Sequence, residues 1–251
     1  MRILLLSDIH GNLEALEACL GAAPDYDRVI NLGDVVGYGA TPNEVIRRVR
    51  SIGSFTIRGN HDKACCGLTE LEGFNPIAAL AAFWTRQALT PENLEWLRTL
   101  PQGPLRPRDV PGTQFVHGSP ADEDEYMIGL PDALEALVMS PVTLTFFGHT
   151  HLQGGFWLQG GNAEELRTGI GLGDAAARQT LKLAPNARYA INPGSVGQPR
   201  DGDWRCGFAI FNTDSNTVTF YRIPYDVHTA QQRILDARLP ERLAARLAVG
   251  R

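Results

Sequence analysis

The amino-terminal part of the chain alternates between short apolar runs and amphipathic segments, and this alternation constrains the fold more than any other feature. Ile3–Leu6, Arg28–Leu32 and Ser54–Ile57 have the character of buried strands, while Leu13–Leu20 carries leucines at helical spacing. Such a succession is typical of parallel strands joined by helices. A chain of 251 residues can bury a sizeable core. The sequence, which has no convincing linker, therefore predicts one α/β domain over residues 1–251.

Helix starts are marked most clearly at Thr41. Thr41, Pro42 and Glu44 have the order of an N-cap, a first-turn proline and the acidic partner of a capping box. We therefore expect a capped helix from this point. Two more helices are predicted at Asn75–Leu89 and Pro91–Leu100, the second again entered through Thr-Pro-Glu.

The second half of the chain is richer in strands. Its pattern predicts a second sheet with antiparallel pairs. A glycine-rich stretch, 154–173, is interpreted as a long loop or ragged hairpin, with a mobile flap as the functional alternative. Near the carboxyl end leucine recurs at every fourth residue, which favours a segment that docks on the core over one that forms a dimer interface. The runs concerned are Gln114–Val116, Thr143–Phe147, Thr180–Leu183, Tyr189–Ile191, Gly207–Phe211 and Val218–Ile223, and the leucines are Leu235, Leu239, Leu243 and Leu247.

Charge and cysteine content restrict the partners and the cellular compartment. The formal charge of −5 gives no basis for tight binding to nucleic acid or to anionic lipid. No stretch reaches the roughly 18 apolar residues of a membrane helix. The four cysteines lack paired CxxC spacing, so we expect reduced, buried thiols in a cytoplasmic protein. The sequence leaves monomer and dimer both open.

Five of the six histidines lie in short polar segments directly after predicted strands. The carboxyl ends of strands in an open α/β sheet meet at one crevice, so these segments are expected to converge. They would bring together five imidazoles, three carboxylates and one amide. The segments are Asp8-Ile9-His10, Gly33-Asp34, Gly59-Asn60-His61-Asp62, His117-Gly118 and Gly148-His149-Thr150-His151.

Carboxylate oxygens mixed with imidazole suit divalent first-row metal ions. The candidates are too many for one ion, and two ions about 3.5–4 Å apart with a shared carboxylate would use them all. Such a pair activates water at neutral pH and serves in-line displacement at phosphorus. Two ions held by only Asp8 and Asp34 as anionic ligands keep a surplus of positive charge, which phosphate oxygens can compensate. No GxSxG or GxxxxGK[ST] motif offers another chemistry.

This ordered set of segments, from Ser7 to His151, resembles the calcineurin-like metallophosphoesterases. The later stretch 192–200, Asn-Pro-Gly-Ser-Val-Gly-Gln-Pro-Arg, is similar to a loop of the small prokaryotic phosphoesterases in that superfamily. The resemblance implies a four-layer αββα sandwich of two mixed β-sheets flanked by helices, with a dinuclear metal site at one edge. It also implies two divalent metal ions, which could be Mn, Fe, Zn or Ni.

The resemblance also implies roles for individual residues. His61 would face the substrate and donate a proton to the leaving oxygen or stabilise the phosphoryl group, with Asp62 orienting its ring. Asp34 would bridge the two metals. One metal would be held by Asp8, His10 and His151, and the other by Asn60, His117 and His149.

Four further residues are candidate substrate contacts. Asn12 is either close to the site or a helix cap. Arg58 and Arg200 can each bind a phosphate through two parallel hydrogen bonds, although a solvated surface arginine is the simpler interpretation of either one alone. Tyr38 lines the substrate mouth or is an ordinary loop tyrosine.

The predicted function is hydrolysis of a phosphomonoester or phosphodiester by in-line attack of a metal-bound hydroxide. Protein phosphatases and dinucleoside polyphosphate hydrolases carry Asp-Arg-Gly at the bridging carboxylate, whereas Asp34 is followed here by Val35-Val36-Gly37, which weakens both assignments. A non-catalytic metal-binding interaction module with the same fold is an alternative, and so is a protein with a single structural metal ion. Structural zinc sites favour cysteine, and the cysteines here lie outside the histidine segments.

Overall fold

A computed structural model describes all residues, 1–251, as eleven strands and eight helices. The strands β1 to β11 are Arg2–Leu6, Arg28–Asn31, Phe55–Thr56, Thr113–Phe115, Leu144–Phe146, Gly154–Gln159, Asn162–Arg167, Ala177–Lys182, Arg188–Asn192, Cys206–Asn212 and Thr217–Ile223. The helices α1 to α8 are Leu13–Ala22, Pro42–Ser51, Asn60–Cys66, Pro76–Ala88, Pro91–Thr99, Leu130–Met139, Val227–Asp236 and Glu241–Leu247.

The first sheet has six strands in the order β3-β2-β1-β10-β11-β8. Strands β1, β2 and β3 run parallel, and β10, β11 and β8 continue the sheet with antiparallel pairs. Leu4 of β1, for example, pairs with Val29 on one side and with Ile210 on the other. The expectation that the strands of the second half form a separate sheet is therefore wrong for β8, β10 and β11.

The second sheet has five strands in the order β4-β5-β9-β6-β7. Strands β4, β5 and β9 are parallel, while β6 pairs antiparallel with both β9 and β7. The stretch interpreted as a loop or ragged hairpin is thus the regular hairpin β6–β7, which turns at Gly160-Gly161 and places β7 at the sheet edge.

The core lies in layers, as alternation along β1 shows. Ile3 and Leu5 pack between the two sheets with Phe115 and Phe146, because successive strand residues point to opposite faces. Leu4 and Leu6 point outward and pack under the helices of the first sheet. Helix α6 covers the outer face of the second sheet through residues such as Leu137. The predicted arrangement of two mixed sheets flanked by helices is confirmed.

All strands that the sequence predicts are present within a few residues of the expected bounds. Helices α3 and α6 are additional, so Asn60 and His61 begin a helix instead of lying in a loop. The predicted capping box at Thr41 is absent: its hydroxyl donates to the Gly11 carbonyl at 2.6 Å and accepts from the Leu13 amide at 3.2 Å. Thr41 thereby connects two loops instead of capping α2.

The carboxyl-terminal leucines largely dock on the core, as expected. Leu239, Leu243 and Leu247 are buried, but Leu235 is 42% exposed. The four cysteines are buried, with free thiols. No helix of the protein has the length and apolar character that crossing a membrane requires.

Candidate metal centre

The carboxyl ends of five parallel strands, β1 to β3 in one sheet and β4 and β5 in the other, place their polar segments at a common edge of the sandwich. Parallel strands end on the same side, which explains why segments far apart in sequence meet here. The side chains brought together include buried Asp8, His10, Asp34, His61, His117, His149 and His151, together with half-buried Asn60.

The backbone at this edge is unusual. Nine non-glycine residues of the protein have left-handed φ angles, and six of them lie here. Such conformations cost free energy and cluster at functional sites, where the surrounding structure holds them. The six are Asp8, His10, Asp34, Tyr38, His149 and His151.

Close backbone approach at Gly59 holds Asp34 in place. A Cβ atom on Gly59 would lie 2.1 Å from the Asp34 Oδ1 and 2.5 Å from its amide nitrogen. Gly59 has φ −105°, so its backbone conformation is open to any residue and only the contact requires glycine. The carboxylate of Asp34 accepts a hydrogen bond of 2.9 Å from the His61 amide.

A first group of donor atoms consists of side chains from Asp8, His10, Asp34 and His151, all within 4.8 Å of one another. The Nδ1 atoms of His10 and His151 face the carbonyls of Val36 and Gln198, at 3.1 and 2.5 Å. Because Nδ1 carries the proton in such a contact, Nε2 of each ring presents a lone pair. These two Nε2 atoms are only 3.1 Å apart. Two lone pairs at this distance repel unless a cation lies between the rings.

A second group consists of donor atoms from Asp34, His117 and His149, again within 4.8 Å. His117 Nδ1 faces the Leu32 carbonyl at 2.8 Å, which turns its Nε2 inward. His149 has the opposite orientation: Nε2 faces the Asp124 carbonyl at 3.1 Å, leaving Nδ1 for the site. Asn60 Oδ1 lies 3.2 Å from His117 Nε2 and so adds an oxygen.

Asp34 belongs to both groups. Its Oδ2 lies 3.5 Å from Nε2 of His10 and 3.5 Å from Nε2 of His117. This oxygen is buried and accepts no hydrogen bond. A buried carboxylate oxygen without a partner is costly, so its position between the two groups indicates a cation ligand.

Electrostatics keep the Asp34 carboxylate ionised. Burial opposes ionisation of Asp34, yet the nearby imidazoles of His117, His61 and His10 hold its pKa well below the usual range. Burial would lower the pKa of His117, but Asp34 raises it to about 9. Burial, the strongest influence on Asp8, raises its pKa to about 6. The positive charge of protonated His117 thus balances the negative charge of Asp34, which a bound metal ion would otherwise balance.

This donor set fits divalent metal ions. Carboxylate, amide and imidazole donors converge, and each ring that offers one nitrogen to the site binds a backbone carbonyl with the other. That outer contact is the usual support of metal-ligating histidines, since it fixes the ring and its tautomer.

His61 lies beside the donor groups and faces an open cleft of about 480 Å³. Its ring packs against Tyr38 at 4.3 Å and Phe74 at 5.4 Å between centroids. Its Nδ1 is buried without a hydrogen-bond partner. Burial lowers the pKa of His61 to about 4. Because Nδ1 lies against Gly37, where a Cβ would come within 2.7 Å of it, Nε2 is the ring nitrogen that can meet a molecule in the cleft.

The expected contact between Asp62 and the His61 ring is absent. The Asp62 carboxylate instead accepts from the backbone amides of Gly59, at 2.9 Å, and Val36, at 3.2 Å. It thereby caps α3 and connects the loops that follow β2 and β3. Asp62 positions backbone, and the prediction that it orients the imidazole is wrong.

Two of the four candidate substrate residues have structural partners instead. Arg58 binds Glu123 through two hydrogen bonds of 3.0 and 2.9 Å, so its guanidinium already has an acidic partner. Asn12 is an N-cap: its Oδ1 accepts from Ala15, and its amide donates to the Gly197 carbonyl. Substrate contact at these two residues, as predicted, is not what the geometry favours.

Tyr38 and Arg200 do lie at the site. Tyr38 packs against His10 and His61 and lines the cleft. Arg200 lies beside Tyr38, with a terminal nitrogen 3.5 Å from the tyrosine hydroxyl. Its Nε is buried without a partner. Arg200 is thus a cation close to the donor groups that carries unused hydrogen-bonding capacity.

We expect Asn12→Ala to lower the free energy of unfolding by about 1 kcal/mol, the usual contribution of an N-cap. The loss arises from the α1 amide that Asn12 satisfies and from its bond to Gly197. Urea titration of the two proteins measures it. Asn162→Ala, at an exposed edge-strand position, serves as the control and should leave stability unchanged. Equal stability of Asn12→Ala and the unsubstituted protein would contradict the capping role.

Sequence reasoning missed several parts of this site. Tyr126 stacks on His149 with ring centroids 3.6 Å apart. Its position shortly after His117-Gly118, in a loop at the end of a strand, is the only sequence signal for it. The carbonyls that orient the imidazoles belong to Leu32, Val36, Asp124 and Gln198. Every residue has a main-chain carbonyl, so the identity of a residue does not show that its carbonyl has this role.

Comparison with known proteins places this site in a family. The calcineurin-like phosphoesterase family model matches residues 1–153. An uncharacterized protein of Methanocaldococcus jannaschii is 35% identical over 253 residues, covering 99% of this chain and 98% of its own. A metallophosphoesterase structure from Sphaerobacter thermophilus is 38% identical with a TM-score of 0.83, covering 100% of this chain and 99% of that one.

A hypothetical protein from Pyrococcus horikoshii shares the fold, with a TM-score of 0.78 at 19% identity over 100% of this chain and 98% of that chain. The family match spans the five segments that carry the candidate ligands, from Asp8 to His151. The resemblance found in the sequence is therefore confirmed. The chain belongs to the calcineurin-like phosphoesterase family and is a metal-dependent phosphoric ester hydrolase.

Proposed function

We propose that this protein binds two divalent metal ions and uses them to hydrolyse a phosphomonoester or a phosphodiester. The observation that carries the proposal is the position of Asp34, whose partnerless Oδ2 lies between two groups of inward-facing ring nitrogens. A carboxylate shared by two donor groups is the arrangement that a two-metal phosphoesterase requires.

The ligands follow from the two groups. Asp8, His10 and His151 would hold one ion. His117, His149 and Asn60 would hold the other, with Asp34 common to both. Binding would remove the repulsion between the Nε2 atoms of His10 and His151, and it would give Asp34 Oδ2 its missing partner.

Ions at these positions would lower the pKa of water towards about 7 and so supply the nucleophile for in-line displacement at phosphorus. The chain itself supplies the remaining parts. Arg200, with its unused donors, is placed to bind the oxygens of the phosphoryl group through charge-assisted hydrogen bonds. The aromatic rings of Tyr38, Phe74 and Tyr126 line the cleft through which an ester would reach the site.

His61 would act on the phosphoryl group or its leaving oxygen. Its ring lines the cleft and is fixed by packing against Tyr38 and Phe74, and with Nδ1 against Gly37 its Nε2 is the nitrogen left for the substrate. A phosphate dianion beside the ring favours the protonated form, because opposite charges attract. The protonated imidazole can then hydrogen-bond the phosphoryl oxygens or release its proton to the departing alcohol.

We expect His61→Ala to reduce kcat/KM for an aryl phosphate about 100-fold, the lower end of the contribution of general acid catalysis. Metal content should stay at the value of the unsubstituted protein, because the His61 side chain belongs to neither donor group. Steady-state kinetics and elemental analysis of the same sample measure both. His228→Ala, far along the chain in α7, controls for loss of a histidine. Loss of metal from His61→Ala would contradict its assignment to the substrate.

The direct test of the proposed function is a substrate panel. Phosphomonoesters, phosphodiesters, nucleotides and phosphopeptides are assayed with manganese, nickel, zinc and iron in turn, together with metal content per chain. We expect near two ions per chain and turnover of at least one ester class. One ion per chain, or two ions without turnover of any ester, would overturn the proposal.

A further inference from the structure

The last helix, α8, brings arginines to the edge of the candidate metal centre. The guanidinium carbon of Arg246 lies 5.9 Å from the ring centroid of Tyr38, and that of Arg200 lies 5.8 Å from the same centroid. Tyr38 in turn contacts His61 at 4.3 Å. Arg246 is therefore no further than about 10 Å from His61, the sum of the two distances.

These arginines have no acidic side chain as a partner. Neither Arg200 nor Arg246 forms an ion pair, and neither does Arg242, one helical turn before Arg246. Arg246 uses only its Nε, which donates to the carboxyl oxygen of Arg251, the last residue, and its terminal nitrogens have no partner in the chain. Burial and the positive charges of Arg200 and Arg242 lower its pKa. Guanidinium groups that line one cavity without an acidic side chain beside them, in a net acidic protein, indicate an external anion.

A cavity of about 210 Å³ lies beside the two arginines of α8. Arg242 and Arg246 line one part of it, and the apolar side chains of Ile77 and Leu243 line another. Tyr38 and Asn75 border both this cavity and the cleft at His61, so the two spaces adjoin. A molecule bound at the metal centre can thus extend past Tyr38 to the arginines.

We propose that Arg242 and Arg246 form a second anion subsite, and that the substrate is a small phosphate ester carrying a second phosphoryl group. The inference rests on the proposed function, in which the first phosphoryl group lies at the metal centre beside Arg200. Planar guanidinium groups match phosphate oxygens, and Ile77 and Leu243 cover the part of the molecule that joins the two groups. Both arginines of the subsite lie outside residues 1–153, the segment matched by the family.

The test compares competitors of aryl phosphate turnover. Adenosine 5′-monophosphate has one phosphate, adenosine 5′-diphosphate has two in succession, and adenosine 3′,5′-bisphosphate has two at a distance. We expect at least one of the two doubly phosphorylated probes to inhibit about tenfold more strongly than the monophosphate, as one charge-assisted hydrogen bond would give. Arg246→Gln should remove most of that difference in inhibition constants.

Two further variants distinguish an effect of this subsite from an effect of net charge and from a failure to fold. Arg178→Gln removes an equally unpaired arginine from an exposed position on β8 and should preserve the tenfold difference. If Arg246→Gln does not fold, Arg242→Gln, at an exposed position, decides in its place. Equal inhibition by all three probes, or a difference that survives both α8 substitutions, overturns the subsite. Absence of aryl phosphate turnover with every metal instead overturns the proposed function.

Discussion

Asp34→Asn is expected to lower kcat/KM more than about 1,000-fold, well beyond the 10- to 100-fold effect of removing a residue that only supports a metal ligand. The substitution replaces the partnerless Oδ2 between the two donor groups by an amide nitrogen, which cannot ligate a cation. Both proposed ions would lose a shared ligand at once. Elemental analysis should therefore show fewer than two ions per chain, and kinetics on the same sample give the loss of activity.

The fold itself should survive this change. Asparagine keeps the oxygen that accepts from the His61 amide, so the loop after β2 retains its connection to α3. Circular dichroism in the absence of metal checks that point. Asp109→Asn removes an exposed carboxylate from the Arg28 ion pair and serves as the matched control, with activity and metal content unchanged. Full metal content in Asp34→Asn would contradict the bridging position.

Gly59→Ala is expected to reduce stability by about 1–3 kcal/mol, the usual cost of overpacking. The added methyl group would lie 2.1 Å from the Asp34 Oδ1, and it cannot be accommodated without moving that carboxylate or the α3 start. A displacement on the order of 1 Å at a catalytic site can cost about 100-fold in rate. We therefore expect lower metal affinity and a loss of about that size in kcat/KM, measured by metal titration and kinetics.

Gly21→Ala is the matched control, because it adds the same methyl group where nothing lies within 4 Å. Gly21 is inside helix α1, where alanine is favoured over glycine by roughly 0.5–1 kcal/mol. The two substitutions should therefore change stability in opposite directions. Urea titration compares them directly. A Gly59→Ala protein as stable and active as the unsubstituted one would show that Asp34 is not fixed by this contact.

The sequence predicted the outline of the fold because the relevant signals are local. An apolar run followed by Asp8 and His10 identifies both a strand and the polar segment at its end. The convergence of these segments then follows from parallel strand direction alone. The assignment of β10 and β11 to the first sheet was not predictable in this way, since it depends on pairing with β1, which lies some 200 residues earlier in the chain.

Side-chain partners were less predictable than positions. Asp62 was expected to contact His61, its neighbour in sequence, but the helix start turns its carboxylate towards the amides of Gly59 and Val36. Arg58 was a candidate for phosphate, yet Glu123 takes its guanidinium. Thr41 has the local sequence of a helix N-cap, yet its hydroxyl donates to the Gly11 carbonyl instead of accepting from an α2 amide. In each case a tertiary contact outweighs the local preference, and residue type alone does not reveal such a contact.

The candidate ligands come from both sheets, and this affects how cooperatively the two layers unfold. Asp8 and Asp34 follow strands of the first sheet, whereas His117 and His149 follow strands of the second. Separating the two layers at this edge would dismantle both donor groups, and the His149 amide would lose its contacts with Asp8. Occupied by ions, the edge would therefore link the local unfolding of one layer to that of the other.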